Sequence, residues 1–198
     1  MKRTIFFDLG NVLIFFSHQK MCEQVAAYCD FDLNFVKTML GQYGDPHERG
    51  HINSQIIFNE CSRLSQKKLN FEMLMKSLSD IFEPNEPVIS IAHEVKRKGH
   101  RLFLLSNTCD AHFNFALSQF PFLKSFDGYV LSYEVGARKP EKKIYEKALE
   151  IAGCRKDECF YTDDILPYVE TARSLEIDAE QYKTPHELVQ HLSTRKIL

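Results

Sequence analysis

Three carboxylates stand where apolar runs of this sequence end. Asp8 follows Thr4-Ile5-Phe6-Phe7, and Asp163-Asp164 follow Cys159-Phe160-Tyr161-Thr162. Another apolar run, Arg101 to Ser106, ends in Asn107-Thr108. Lys139 comes soon after a fourth, Gly128 to Ser132, within Gly136-Ala137-Arg138-Lys139-Pro140. Brought together, the three acids and the lysine leave a charge deficit of two, unfavourable until a cation joins them. An Mg2+ held by one or two carboxylates and a substrate phosphate meets that need. Ser106, Asn107 and the N–H groups of the helix start after them suit phosphate oxygens. A carboxylate is also a competent nucleophile toward phosphorus, with metal and lysine stabilising the transferring group.

Each residue has a plainer role to set beside this one. Asp8 alone reads as a buried acid satisfied by backbone N–H groups in a turn. Lys139 alone reads as a solvated lysine at a helix start. Ser106 and Asn107 read as helix caps, which is compatible with holding phosphate. Asp163 divides evenly between touching a metal and supporting the groups that do.

What would bring these residues together is the order of elements. Thr4–Leu9, 101–106, 128–132, 159–162 and 177–182 are short strand patterns, nearly continuous in apolar residues, as when both sheet faces are covered. Helical patterns lie between them at 88–98, 141–152 and 168–175, the second with Pro140 near its start and Gly153 past its end. Alternation of this kind predicts an α/β fold, a Rossmann-like parallel sheet whose carboxyl edge binds the ligand. Residues 17–86 differ. They offer helical patterns at 19–28, 33–40, 54–64 and 71–82, separated by turn signals at Asp30, 41–46 and Gly50, and no convincing strand. The expectation is a core formed by 1–16 and 87–198, with 17–86 as an inserted helical cap.

Bulk properties narrow the class further. The chain has 198 residues, is 44% hydrophobic and has a formal net charge of −2, which predicts an ordered domain without bias toward nucleic acid or membrane. No apolar run is long enough to span a bilayer, and Asp8 interrupts the segment after Met1-Lys2-Arg3 that would otherwise suggest a secretory signal. The six cysteines form no CxxC pair. They predict reduced, mostly buried thiols and a cytoplasmic setting.

Four segments in order resemble the haloacid dehalogenase (HAD) superfamily. They are Phe7-Asp8-Leu9-Gly10-Asn11-Val12-Leu13, Leu104-Leu105-Ser106-Asn107-Thr108, Ser132 to Pro140 with Ile144-Tyr145, and Phe160-Tyr161-Thr162-Asp163-Asp164-Ile165. The resemblance implies an Mg2+-dependent phosphatase acting on a small phosphorylated metabolite through an aspartyl-phosphate. By position it makes Asp8 the nucleophile and Lys139 the lysine that orients nucleophile and phosphate. Ser106, with Asn107 and Asn11 beside it, would bind phosphate. Asp8, Asp164, Asp163 and the Gly10 carbonyl would hold the metal. It also implies that 17–86 closes over the site and selects substrates.

One position departs from the pattern. Most phosphatases of the superfamily carry an acid two residues after the nucleophile, where this sequence has Gly10. The Asp8-Leu9-Gly10-Asn11-Val12 form is similar to a branch with bacterial sugar-phosphate phosphatases such as α-glucose-1-phosphate phosphatase. It is more distantly similar to the N-terminal phosphatase domain of soluble epoxide hydrolases, which keeps the acid. Loss of general acid–base help is worth about 10² to 10⁴ in rate. Two competing functions follow: a phospholigand-binding or regulatory protein that no longer turns over, and a 2-haloacid dehalogenase. The acid pair Asp163-Asp164 argues against the dehalogenase.

The insertion also carries His18, His47, Arg49 and His51. For any one of them a polar turn between helices is the better reading, and Gly50 between His47 and His51 argues against a helical metal pair. Phe113, Phe115, Phe120 and Phe122 read as core, and Lys142 and Lys143 as a solvated helix face.

Overall fold

Every residue of β1 (Thr4–Phe7) is buried, which places this strand at the centre of the molecule. The computed structural model describes residues 3–198. After β1 the chain forms β2 (Ile14–Phe16) and then four helices: α1 (His18–Cys29), α2 (Leu33–Glu48), α3 (Ser54–Leu64) and α4 (Phe71–Ser79). It returns through β3 (Phe82–Pro84) and α5 (Glu86–Arg97) to β4 (Arg101–Ser106). There follow α6 (Asp110–Gln119), β5 (Gly128–Leu131), α7 (Ser132–Val135) and α8 (Lys142–Ala152). Last come β6 (Cys159–Asp163), α9 (Leu166–Ser174), β7 (Ala179–Gln181) and α10 (Pro185–Thr194).

The main sheet has five strands in the order β5-β4-β1-β6-β7, all pairs parallel. Side chains alternate between its faces, as the two-residue period of a strand requires. Ile5, Phe7, Leu102, Leu104 and Phe160 join one apolar cluster, covered by α5, α6 and α10. Phe6, Phe103, Leu105 and Tyr161 join the other, covered by α8 and α9. Burying one such side chain contributes about 1.5–3 kcal/mol, so truncation in β1 or β4 removes a large part of a domain's net stability.

The four helices α1–α4 pack on a third cluster of their own, built from Val25, Val36, Ile57, Cys61 and Leu74 among others. Two differences from the sequence expectation lie here. α2 continues past Leu40 to Glu48, through Gly41, Gly44 and Pro46, which read as turn signals. Asp32 caps its start by accepting from the N–H groups of Asn34 and Phe35. Tertiary contacts hold its far end, because His47 is buried and Asp45, Glu48 and Arg49 pair with residues outside the helical unit. Context of this kind overrides weak local propensity.

The second difference is a strand where none was expected. α4 stops at Ser79, and Phe82–Pro84 pairs antiparallel with Ile14–Phe16. This ribbon carries both crossings between the helical unit and the sheet. Gly50, in the turn after α2, has φ +69°, and a Cβ there would lie 2.1 Å from the Tyr133 carbonyl oxygen. Only glycine permits that backbone angle and that approach together. The cysteines are all free and, apart from the half-buried Cys154, buried. Among the described residues no helix is long and apolar enough to cross a membrane.

Candidate active site

The ends of β1, β4 and β6 lie side by side, so Asp8, Ser106 and Asp163 reach one edge of the sheet. Lys139 enters this edge from the loop after α7. Its Nζ donates to Asp8 Oδ1 at 2.7 Å, to Asp163 Oδ2 at 2.6 Å and to the Leu105 carbonyl at 2.9 Å. The lysine is 3% exposed, and three acceptors match the three donors of its ammonium. Burial alone would lower its pKa, but the charges of Asp163 and Asp8 outweigh burial and raise it. It is a fixed cation at neutral pH.

The loop that carries Lys139 is fastened to the end of β4. Asn107 accepts the Lys139 N–H at 2.8 Å and donates to the Lys139 carbonyl at 3.0 Å. Ser132 accepts from the Thr108 N–H at 2.9 Å and donates to the Thr108 carbonyl at 3.0 Å. Asn107, expected on phosphate, therefore spends its side-chain amide on holding the lysine's backbone in register. Ser106 is buried, and its hydroxyl makes one long 3.4 Å contact to the next carbonyl.

The acids are not equivalent. Asp163 is fully buried with both oxygens engaged: Oδ2 accepts from Lys139 and from the Tyr161 hydroxyl, and Oδ1 from the Ile165 N–H at 2.8 Å. Asp8 meets Lys139 through Oδ1, and Asp164 meets Asn11 through Oδ2 at 3.3 Å. The second oxygen of each is the donor on offer. Asn11 sits at φ 56°, a left-handed angle that asparagine tolerates better than most residues. Burial lifts the Asp8 carboxyl to about 7 against the pull of Lys139, with Asp163 and Asp164 adding repulsion. Burial and the Asp163 charge likewise raise Asp164.

These residues fit a divalent cation. Asp8, Asp163 and Asp164 each offer a carboxylate oxygen, all within 4.8 Å of one another. With all three acids ionised, one lysine leaves the cluster two positive charges short of neutrality, and repulsion from Asp163 and Asp164 adds to burial in raising Asp8.

A cavity of about 540 Å3 opens between this edge and the helical unit. Leu9 and Gly10, next to Asp8, and Arg138, next to Lys139, border it together with Ser106 and Asn107, so it adjoins the cluster although the acids and the lysine do not themselves line it. A Cβ at Gly10 would come within 2.8 Å of the Phe16 ring, so a side chain there would require that ring to move.

The sequence reading missed a second cluster on the same cavity. His47 Nε2 lies 2.5 Å from Asp110 Oδ1, and Ser54 donates to that carboxylate from its hydroxyl at 2.7 Å and its N–H at 3.2 Å. Burial pushes the imidazole down, but Asp110 and Cys109 outweigh it and raise the pKa to about 9. Asp110 is lowered because the bonds from His47 and Ser54 outweigh its own burial. Beside this pair, Arg138 binds Asp45 at 2.5 Å and Glu48 at 2.7 Å, and Arg49 binds Glu141 at 2.6 Å. His47 and Asp110 stand 63 residues apart, a partnership with no local signature. His47 and Arg49, read singly as parts of a polar turn, are the residues that fasten α2 to the sheet side. His51 has no such contact among the described residues.

The arrangement has counterparts among solved structures. A HAD family enzyme of Bacteroides thetaiotaomicron, crystallised with magnesium and inorganic phosphate, superposes with a TM-score of 0.78 at 23% identity, over 92% of this chain and 95% of that chain. A predicted HAD-like hydrolase of Porphyromonas gingivalis matches at 26% identity and TM-score 0.73, over 91% of each chain. The L-2-haloacid dehalogenase of Xanthobacter autotrophicus shares the fold at 14% identity and TM-score 0.63, over 100% of this chain and 85% of that one. The model of the haloacid dehalogenase-like hydrolases matches residues 10–179. The chain has the Rossmann-like α/β fold of these proteins and belongs to the haloacid dehalogenase-like hydrolase family.

Proposed function

We propose that the protein is an Mg2+-dependent phosphatase of small phosphomonoesters, with residues 17–86 acting as a cap over the site. The observation that carries this reading is the cluster of Asp8, Asp164, Asp163 and Lys139 at one sheet edge, two charges short of neutrality. Asp8 and Asp164, with the Gly10 carbonyl, would hold the metal, which when bound supplies charge neutralisation at the phosphoryl oxygens. An Asp8 oxygen attacks phosphorus, a new P–O bond forms, and the ester oxygen leaves with the electron pair of the broken bond. Water then attacks the aspartyl-phosphate at phosphorus, which frees inorganic phosphate and restores the carboxylate. Lys139 aims Asp8 and pulls it toward its ionised form, and Asp163 and Asn107 hold Lys139 by its side chain and backbone. Ser106 has a hydroxyl to spare for a phosphate oxygen.

The Bacteroides neighbour, whose crystals hold magnesium and phosphate, supports the reading by analogy. The test is phosphate release from a broad panel of phosphomonoesters, sugar phosphates included, with and without Mg2+. Release that requires Mg2+ and vanishes in Asp8→Asn is expected. Silence across the panel, with binding of phosphorylated ligands retained, would favour the binding-protein reading instead. Halide release from 2-haloacids in chelator would favour the dehalogenase.

A further inference from the structure

The cavity wall indicates what is attached to the phosphate. Its polar side chains are largely committed to one another. His47 is paired with Asp110, and Arg138 with Asp45 and Glu48. His112 bonds the Leu78 carbonyl at 3.2 Å and stands edge-on to the Phe82 ring, with centroids 5.6 Å apart. His18, Lys37 and Tyr43 make no side-chain hydrogen bond among the described residues, and Ser106 keeps a hydroxyl to spare. Between these groups the wall is apolar: Ile14, Leu40, Ile57, Leu78 and the Phe16 and Phe82 rings of the ribbon. Phe16 is 37% exposed and stacks obliquely on His18, ring centroids 5.0 Å apart.

A polyhydroxylated body in such a cavity would lose its water and find few donors or acceptors in exchange. Unpaired buried hydroxyls are costly, which is how polar and apolar sites discriminate. A flat apolar ring loses nothing and gains contact with Phe16. The second observation concerns position 10. Gly10 has no side chain, and the Phe16 ring lies beside it, so position 10 offers no group to protonate a leaving oxygen. A phenol, with a pKa of about 10 like that of tyrosine, departs as its anion without that help. An alkoxide, with a conjugate acid closer to water at about 15.7, does not.

We infer that the substrate is an aryl phosphomonoester whose ring packs against Phe16 and the apolar face of the helical unit. This rests on the phosphatase reading above. In the reaction the Asp8 oxygen bonds to phosphorus, the aryl-oxygen–phosphorus bond breaks, and its electron pair leaves on the phenolate, which takes a proton from solvent. Lys37 and Tyr43 leave room for one polar substituent on the ring.

The experiment compares phenyl phosphate, benzyl phosphate and glucose 1-phosphate on the purified full chain with Mg2+. Benzyl phosphate shares the ring but leaves as an alkoxide, so it separates fit from leaving-group strength. The two aromatic esters should share a KM about tenfold or more below that of the sugar ester. Phenyl phosphate should exceed benzyl phosphate in kcat by about 10² or more. Phe16→Ala should raise KM for both aromatic esters and narrow their advantage over the sugar. Equal or lower KM for glucose 1-phosphate, or a Phe16→Ala effect of equal size on all three, overturns the inference while leaving the phosphatase reading intact. If none is hydrolysed, the broad panel decides the phosphatase reading, and calorimetric binding of the same three ligands decides the occupant. Tighter phenyl and benzyl phosphate then supports the apolar pocket, and tighter glucose 1-phosphate overturns it.

Discussion

Two ionic clusters, one buried and one half-buried, stand near one cavity, and they differ in balance. At the sheet edge one lysine faces Asp8 and Asp163, with Asp164 close by. Across the cavity, one histidine faces one aspartate, and Ser54 supplies that carboxylate with two further hydrogen bonds. The first cluster is electrostatically incomplete and the second is closed. An incomplete buried cluster draws in something from outside, whereas a closed one fastens parts of the protein together. Composition does not separate them, since both are built of ordinary acids and bases; the count of charges does.

The strongest way to break this contrast is at Asp8. Asp8→Asn should cut phosphate release at least about 10³-fold, because the nucleophile is gone. It should leave the thermal midpoint unchanged or higher, because it removes one of the crowded acids; a marked fall in midpoint would contradict the charge deficit. Lys139→Met should be destabilising by about 3–5 kcal/mol in urea unfolding, since two buried carboxylates lose their cation. Mg2+ should raise the wild-type stability by about 2.7 kcal/mol at a hundredfold excess over its Kd. Asp164→Asn should shift that titration to higher Mg2+, and His47→Gln should leave it in place.

His47→Gln should instead cost about 2 kcal/mol of stability near neutral pH, the scale of a hydrogen bond to a charged group. Its pH dependence carries a definite sign. The folded imidazole is raised from 6.5 to about 9, so its contribution is complete below 6.5 and fades as pH climbs through 9. Asp110 is lowered from 3.8, so its share is complete above 3.8 and disappears only in stronger acid. The difference between wild type and His47→Gln, followed by urea unfolding, should therefore shrink between pH 6.5 and 9. The smallest effect belongs to Arg138→Ala, about 1 kcal/mol or less, because its partners are partly solvated.

The strand ends were legible in the sequence because each strand is a short apolar run closed by a polar residue. That pattern marks Asp8, Ser106 and Asp163 without knowledge of the fold. Lys139 was legible only through its setting, since nothing local distinguishes it from a solvated lysine. Three features were hidden. The continuation of α2 over Gly41 to Glu48 depends on ion pairs with Arg138 and Glu141, roughly ninety residues away. The His47–Asp110 pair joins two elements by a contact between side chains alone. Gly10 could be read as an acid missing, but the Phe16 ring beside it is a matter of packing. Period and propensity describe neighbours along the chain; these contacts join distant ones.

The ribbon of β2 and β3 has one more consequence. Its rungs, Ile14 opposite Pro84 and Phe16 opposite Phe82, set the entry and the exit of the helical unit side by side. To the sheet, everything between Phe16 and Phe82 has the closure geometry of a hairpin turn, whatever its length. A different set of helices could be spliced between those rungs with no demand on the strands below. The same splice would exchange Leu40, Ile57 and Leu78 of the apolar wall while leaving the acids and the lysine untouched. On the proposed function, selectivity and chemistry would be heritable separately, joined by two strands of three residues each.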